Sequence, residues 1–302
     1  MSGSSTEAGV RAELARMLRD ELAAPVPEPV RIAAEMARAR HGEGIVAVLF
    51  YGSCRRDGWS PRSLIDLYLL AETYAAVHRG WLTRLANRLV PPNVYHLSAP
   101  SPSGLVQAKY AIVSLAQFVN RMRPQVRNPY FWARFAQPVG LVWARDADVR
   151  ETIVAACLLA IETAWATART LFPEADTPEE LWPALFAATY ATELRSEKPE
   201  RAREIYLHDR ARYDRIGELL RRLEPLPVPR SGRRRRELEG KILSLLRLAK
   251  AAFTFDGGSD YLAWKIERHS GVRVELGPFL RRHPLLAAAV LGLRLYRQRA
   301  FR

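Results

Sequence analysis

Cysteine is nearly absent: Cys54 and Cys157 are the two in 302 residues. They share no spacing pattern, which excludes a disulfide-stapled scaffold and a cysteine-only zinc site, and a reducing compartment is the simplest setting. No run of 18 or more apolar residues occurs, so no bilayer-spanning segment is expected. The N-terminal stretch MSGSSTEAGVRAELARMLRDELAA lacks an apolar central region, and it carries acidic residues. Neither a secretory signal nor a transit peptide is expected there. Internal repeats are also missing. Carboxylates become scarce toward the end: residues 226–302 hold six Asp+Glu against 17 Lys+Arg, whereas residues 1–225 have a net charge of only +3.

Apolar residues make up 48% of the chain and charged residues 26%. This composition supports a buried core and excludes a disordered tail or a fibrous repeat. The length fits one large domain or two ordinary ones. A net charge of +14 calls for an anionic partner: nucleic acid, a phosphorylated small molecule, or an anionic membrane surface.

Residues 8–40 read as helices broken at Pro25, Pro27 and Pro29. The continuous apolar, β-branched run 45–51 (IVAVLFY) reads as a buried strand ended by Gly52-Ser53. A polar turn spans 55–62, and residues 64–70 (LIDLYLL) form a second strand containing a single carboxylate. Residues 73–90 read as one helix. Residues 94–97 and 105–114 read as a strand pair joined by the Pro/Ser/Gly turn at 98–104, and a helix is expected over 114–123. From 149 to 223 the pattern is helical, interrupted at Pro173 and Pro199.

The Pro-rich stretch 224–232 reads as a linker into Arg233–Arg236. Over 241–253 an apolar stripe leaves Lys241, Arg247 and Lys250 off its face. A second apolar run, Leu285 to Leu293, is flanked by arginines. Such segments suit helices lying in an anionic interface, or helices packed on the core with solvated arginines. The expected class is α+β: a mixed-sheet catalytic domain (1–148), a mostly helical domain (149–225), and a basic amphipathic C-terminal region (226–302).

Leu49-Phe50-Tyr51-Gly52-Ser53 followed by Leu64-Ile65-Asp66 is the stretch that carries chemistry. A strand ending in Gly-Ser beside a strand bearing Asp is a nucleotidyltransferase arrangement. Gly52 lets a triphosphate approach the backbone, because no Cβ intrudes. The Ser53 hydroxyl can donate to phosphate oxygens. Asp66 can hold Mg²⁺ against those oxygens, since that ion takes one or two protein carboxylates plus substrate oxygens and waters. A purely structural reading pairs Asp66 with Arg55 or Arg62. The usual second carboxylate, two positions earlier, is replaced by Leu64, and Glu72 lies too far along the strand to serve. His78, His96 and His208 are isolated and read as structural, and Trp132 and Trp143 as core.

These residues resemble a known family, the mitochondrial-type phosphatidate cytidylyltransferases (CDP-diacylglycerol synthases of the translocator assembly and maintenance family). Tyr51-Gly52-Ser53 and Leu64-Ile65-Asp66 are similar to its core motif. Collinear similarities follow at 93–95, at 109–113 around Lys109, at 130–139 with Arg134, Pro138 and Val139 kept, at 171–181, and at Tyr190-x-x-Glu193-Leu194-Arg195. Departures are Ala111 for Gly, Gln137 for Lys and Glu193 for Asp.

The resemblance implies a nucleotidyltransferase domain joined to a helical, winged-helix-like domain, peripheral to a membrane and dependent on Mg²⁺. It implies transfer of CMP from CTP to phosphatidic acid, giving CDP-diacylglycerol and pyrophosphate. In that reading Asp66 is the metal ligand, and Tyr51, Gly52 and Ser53 cradle the nucleotide. Lys109, Arg134 and Arg195 are further phosphate ligands, with Arg201 and Arg203 weaker candidates. The basic C-terminal region would hold the enzyme on the inner face of the cell membrane, and a chain ended at Pro229 would keep a CTP-binding core. Two rivals remain: a nucleotidyltransferase with a small-molecule, protein or RNA acceptor, and a non-enzymatic nucleic-acid-binding protein using Arg233–Arg236. No zinc knuckle, aromatic RNA motif or recognition helix supports the latter, so a nucleic-acid partner is not expected.

Overall fold

The computed structural model describes residues 2–60, 63–102, 104–193, 200–230 and 233–254. Two N-terminal helices, α1 (Ser2–Leu22) and α2 (Glu28–Ala39), are separated by the proline break, with Pro29 in the first turn of α2, where a missing N–H costs nothing. Next come β1 (Ile45–Tyr51), α3 (Ser53–Asp57), β2 (Leu64–Ala71), α4 (Tyr74–Val77), α5 (Trp81–Leu89), β3 (Asn93–Ser101) and β4 (Gly104–Ser114). The chain continues through α6 (Leu115–Arg121), α7 (Trp132–Phe135) and β5 (Gly140–Ala144). Only helices follow among the described residues: α8 (Ala147–Leu171), α9 (Pro178–Tyr190), α10 (Glu200–His208), α11 (Arg210–Leu220) and α12 (Arg233–Thr254). The fold is α+β.

The five strands form one mixed sheet in the order β3-β4-β2-β1-β5. Only β2 and β4 run parallel; every other neighbouring pair is antiparallel. The alternation of side chains along each strand sends two sets of residues to opposite faces. On one face Val48, Phe50, Leu67, Leu69 and Ile112 pack against Val30, Ala33, Ala34 and Ala37 of α2. On the other, Val46, Leu49, Tyr68, Leu70 and Val113 meet a larger core built with α1, α8, α9 and α11. Burial on both faces explains the uninterrupted apolar run of β1.

Helix α8 is long and apolar enough to cross a membrane by composition, but 67% of its most apolar window is buried within the protein. It serves as the central core helix. Asp146 caps its N-terminus through the Val149 N–H at 2.8 Å, and α9 begins with a reciprocal Thr177–Glu180 capping box.

Three segments differ from the pattern-based expectation. Residues 73–90 form two helices rather than one. The chain breaks at His78–Gly80, where the Arg84 guanidinium satisfies the freed carbonyls of His78 and Arg79. The polar turn after Gly52 opens as the short helix α3. The edge strand β5 pairs antiparallel with β1; with five residues it is too short to show a period.

Helix α12 docks by its polar side. Arg236 is buried and donates to the carbonyls of Arg127 and Pro229, Arg247 donates to Pro91 O at 3.0 Å, and Lys250 donates to the carbonyls of Val90 and Pro92. Burial, then the neighbouring Arg247, pushes the Lys250 ammonium down to about 7. Gly240 lies against Thr192, where an added Cβ would sit 2.5 Å from the Thr192 Cβ. Gly240→Ala is therefore expected to lift α12 away while the sheet core still melts cooperatively. Trypsin should then cut the Arg233–Arg236 run much faster than in the parent protein. An unchanged digestion rate would contradict this docking.

Candidate active site

The strand register places Tyr51 on β1 opposite Asp66 on β2, and Asp66 opposite Lys109 on β4. Directly paired residues share a face of the sheet, so the three form a row across adjacent strands. Lys109 Nζ lies 2.9 Å from Asp66 Oδ1. The carboxylate thus pairs with a second candidate residue. Arg55, which a purely structural reading favoured as its partner, makes no ion pair among the described residues, and Arg62 lies outside them.

Gly52 completes the row. Its φ of +87° is the region that favours glycine. A Cβ there would meet Asp66 Oδ2 at 2.8 Å. The glycine therefore makes room for the carboxylate as well as for an incoming ligand. Ser53 follows at the exposed start of α3.

These residues floor an open cleft of about 230 Å³. Its walls come from α3, the 129–138 segment around α7, and helices α9 to α11. Arg55, Arg56, Lys109, Arg134 and Arg201 bring five cations to it, against the carboxylates of Asp66, Glu193 and Asp209. That excess suits a polyanion.

Arg134 is held most tightly. Its guanidinium lies 4.5 Å from the Tyr130 ring centroid and 5.4 Å from that of Tyr51. It donates to the Tyr68 hydroxyl at 3.3 Å and to Tyr130 O at 3.2 Å, and lies 3.7 Å from Glu193 Oε1. Each such ring contact contributes about 0.5–2 kcal/mol, more as water is excluded. Behind it Tyr51, Tyr68, Phe131 and Phe135 pack as an aromatic cluster. Burial, followed by the Asp66 charge, pushes the Tyr51 hydroxyl well above its ordinary range, so it stays protonated. For Tyr130 burial opposes ionisation, but the guanidiniums of Arg134 and Arg247 prevail and lower its pKa.

Arg247, behind the cleft wall, was not foreseen as a neighbour of the site. It projects from α12 and stacks on the Tyr130 ring at 3.8 Å. The sequence marks it only as a cation off the apolar stripe. Arg247 does not itself line the cleft; it reaches it through Tyr130, which does.

Of the other predicted residues, Tyr51, Gly52, Ser53, Asp66, Lys109 and Arg134 come together in the cleft, whereas Arg195 lies outside the described residues. Arg201 reaches the cleft wall; Arg203 is exposed on α10. Glu72 is exposed and pairs with Arg145 at 3.0 Å, away from the site. His78 is buried against Asn87, which approaches its Nε2 at 3.1 Å, and burial pushes it down to about 4. Trp132 is core, whereas Trp143 is half-buried beneath the Arg38 guanidinium.

The buried Asp66 Oδ1 receives no well-directed hydrogen bond among the described residues, despite the nearby ammonium. Its lone pairs suit a hard cation. A single carboxylate of this kind fits Mg²⁺, an ion that takes one or two protein carboxylates and completes its shell with other oxygens.

Gly52→Ala is expected to cost about 1 kcal/mol through its left-handed backbone and to push the Asp66 carboxylate off its position. A rise in melting temperature on adding CTP, expected of the parent protein, should be absent in this variant while the fold survives. A full ligand-induced rise in this variant would contradict the cradle. Arg247→Ala is expected to reduce that rise without unfolding the chain, and an unchanged response would remove α12 from the site.

No protein-family model matches this chain, and no curated protein sequence matches it.

Proposed function

We propose that the chain is a nucleotidyltransferase that transfers CMP from CTP to the phosphate of phosphatidic acid, releasing pyrophosphate and forming CDP-diacylglycerol. The observation that carries the reading is the Tyr51–Asp66–Lys109 row beside Gly52, at the floor of a cleft rich in cations. The cytidine and lipid identities rest on the motif resemblance.

The residues divide the work by charge. The backbone at Gly52 and the Ser53 hydroxyl face the triphosphate, and Lys109 and Arg134 offset its charge. Asp66 would hold a Mg²⁺ ion, which supplies charge neutralisation at the phosphate oxygens when bound. An oxygen of the lipid phosphate attacks the α-phosphorus in line, the bond from that phosphorus to the bridging oxygen breaks, and pyrophosphate leaves. A phosphate monoester, with a second pKa of about 6, is already anionic at neutral pH. No strong general base is required, so positioning and electrostatics provide the catalysis. Cys54 is buried, and burial pushes its thiol up to about 11.

Two observations weigh against the rivals. A hydroxyl acceptor calls for a base, and of the cleft carboxylates Asp66 is paired with Lys109, Glu193 lies against Arg134 and Asp209 against His208. The arginine run offers nucleic acid less than its sequence suggests: Arg236 is buried on backbone carbonyls and Arg235 pairs with Glu239 at 3.0 Å.

The test is incubation with Mg²⁺, phosphatidic acid micelles and each nucleoside triphosphate labelled at its α-phosphate, followed by lipid extraction. Label from CTP should enter the lipid fraction. Asp66→Asn should reduce it at least about 100-fold, the scale for losing one preorganised electrostatic group, with the melting curve retained. Near-normal transfer by folded Asp66→Asn would sink the assignment, as would the absence of labelled lipid with the parent protein.

A further inference from the structure

Two helices turn apolar faces toward solvent. On α5, Trp81, Leu82, Leu85 and Leu89 are 68%, 63%, 45% and 64% exposed. Their spacing puts them within one arc of the helix. The opposite side is anchored by the buried Asn87, which donates to Ile112 O at 3.2 Å.

On α12 the arrangement is inverted relative to an ordinary surface helix. Arg236, Gly240, Arg247 and Lys250 face the protein, whereas Leu238, Ile242, Leu245 and Leu246 are 46–61% exposed. Lys250 and Arg247 grip the carbonyls of residues 90–92, immediately after α5. The two helices are therefore joined at the C-terminal end of α5. Exposed apolar faces of this kind mark interaction surfaces.

Charge selects the occupant. No Asp or Glu occurs between Glu72 and Asp146, while that stretch carries nine Lys and Arg. Arg79 and Arg88 are exposed beside the α5 face, and Arg234 and Lys241 beside that of α12. Apolar side chains with a tryptophan, rimmed by cations, match the chemistry of an anionic bilayer interface. We propose that the outward faces of α5 and α12 form a docking surface for an anionic lipid bilayer. The proposal deepens the lipid-acceptor reading and, as regards its purpose, rests on it. It also gives the inverted helix a reason: the side of α12 that meets the bilayer is backed by Arg247 on Tyr130, in the cleft wall.

The experiment uses the full chain and vesicles of phosphatidylcholine, with or without phosphatidylglycerol. Two variants remove the faces: Trp81→Ser with Leu85→Ser and Leu89→Ser, and Leu238→Ser with Ile242→Ser and Leu245→Ser. The affected side chains are exposed, so the fold should be retained. The parent should sediment with the anionic vesicles only, and each variant should bind them at least about tenfold more weakly, the loss expected when several apolar side chains stay in water. The CTP-dependent melting shift should persist in the α5 variant. A fluorophore on Leu85→Cys should shift to the blue on adding anionic vesicles; Cys54 and Cys157 are buried, so labelling is selective.

Undiminished vesicle binding by both variants, or an unshifted fluorophore, overturns the surface. So does a parent dimer that the variants dissolve, which would assign the faces to a second copy. If the surface passes while no lipid is labelled in the transfer assay, the surface stands and the acceptor reading falls. If transfer to dispersed phosphatidic acid proceeds but vesicle binding ignores both faces, the surface falls and the reaction stands.

Discussion

The site depends on one ion pair across a parallel strand junction. Asp66 and Lys109 face each other where β2 and β4 run side by side, and β2 is buried on both faces beyond that point. A carboxylate on the central strand of such a sheet is costly unless it is paired. The pair makes Asp66 tolerable and fixes its direction, and Gly52, bent to a positive φ, leaves room for Oδ2. Remove the ammonium and the carboxylate is left in a half-buried floor without its ion-pair partner. Fill the glycine and it must move.

The rest of the architecture is arranged around that floor. Helix α2 closes the far face of the sheet with alanines, leaving the near face to the larger core. That core rises as α8 and α9 and brings Thr189, Tyr190 and Glu193 to the cleft opposite Asp66. Arg134 stands between the two walls, touching Tyr51 and Tyr68 from the sheet and Glu193 from beyond α9. Helix α12 closes the side by setting Arg247 on Tyr130. The cleft is thus assembled from segments nearly 200 residues apart, and its cations are placed by aromatic rings and carboxylates rather than left in water.

Much of the floor was legible in the sequence, and the reasons are local. The run at 45–51 has a strand's composition and no alternation, as burial on two faces requires. Gly52 interrupts it at a position where no other residue fits. Asp66 is conspicuous because a charge among Ile65, Leu67 and Leu69 demands a partner. What could not be read was the identity of that partner. Arg55 and Arg62 are near in sequence, but Lys109 is near in register, and the pairing of β2 with β4 is a long-range choice. The direction of α12 was equally hidden. Its apolar stripe is the usual sign of a buried face, yet here Arg236, Arg247 and Lys250 find carbonyls and a ring to bind, and the leucines are left outside. The break at His78–Gly80 escaped because a side chain, Arg84, supplies the hydrogen bonds that a continuous helix would have made.

Amide hydrogen exchange of the full chain, with and without saturating CTP and Mg²⁺, tests the central claim most directly, because it locates the nucleotide without assuming an acceptor. The account predicts slower exchange in peptides covering residues 51–57 and 129–137, two segments that line the cleft with the Asp66–Lys109 pair, with the solvent face of α5 unchanged. Protection confined to other segments, or no protection at saturating nucleotide, would contradict it.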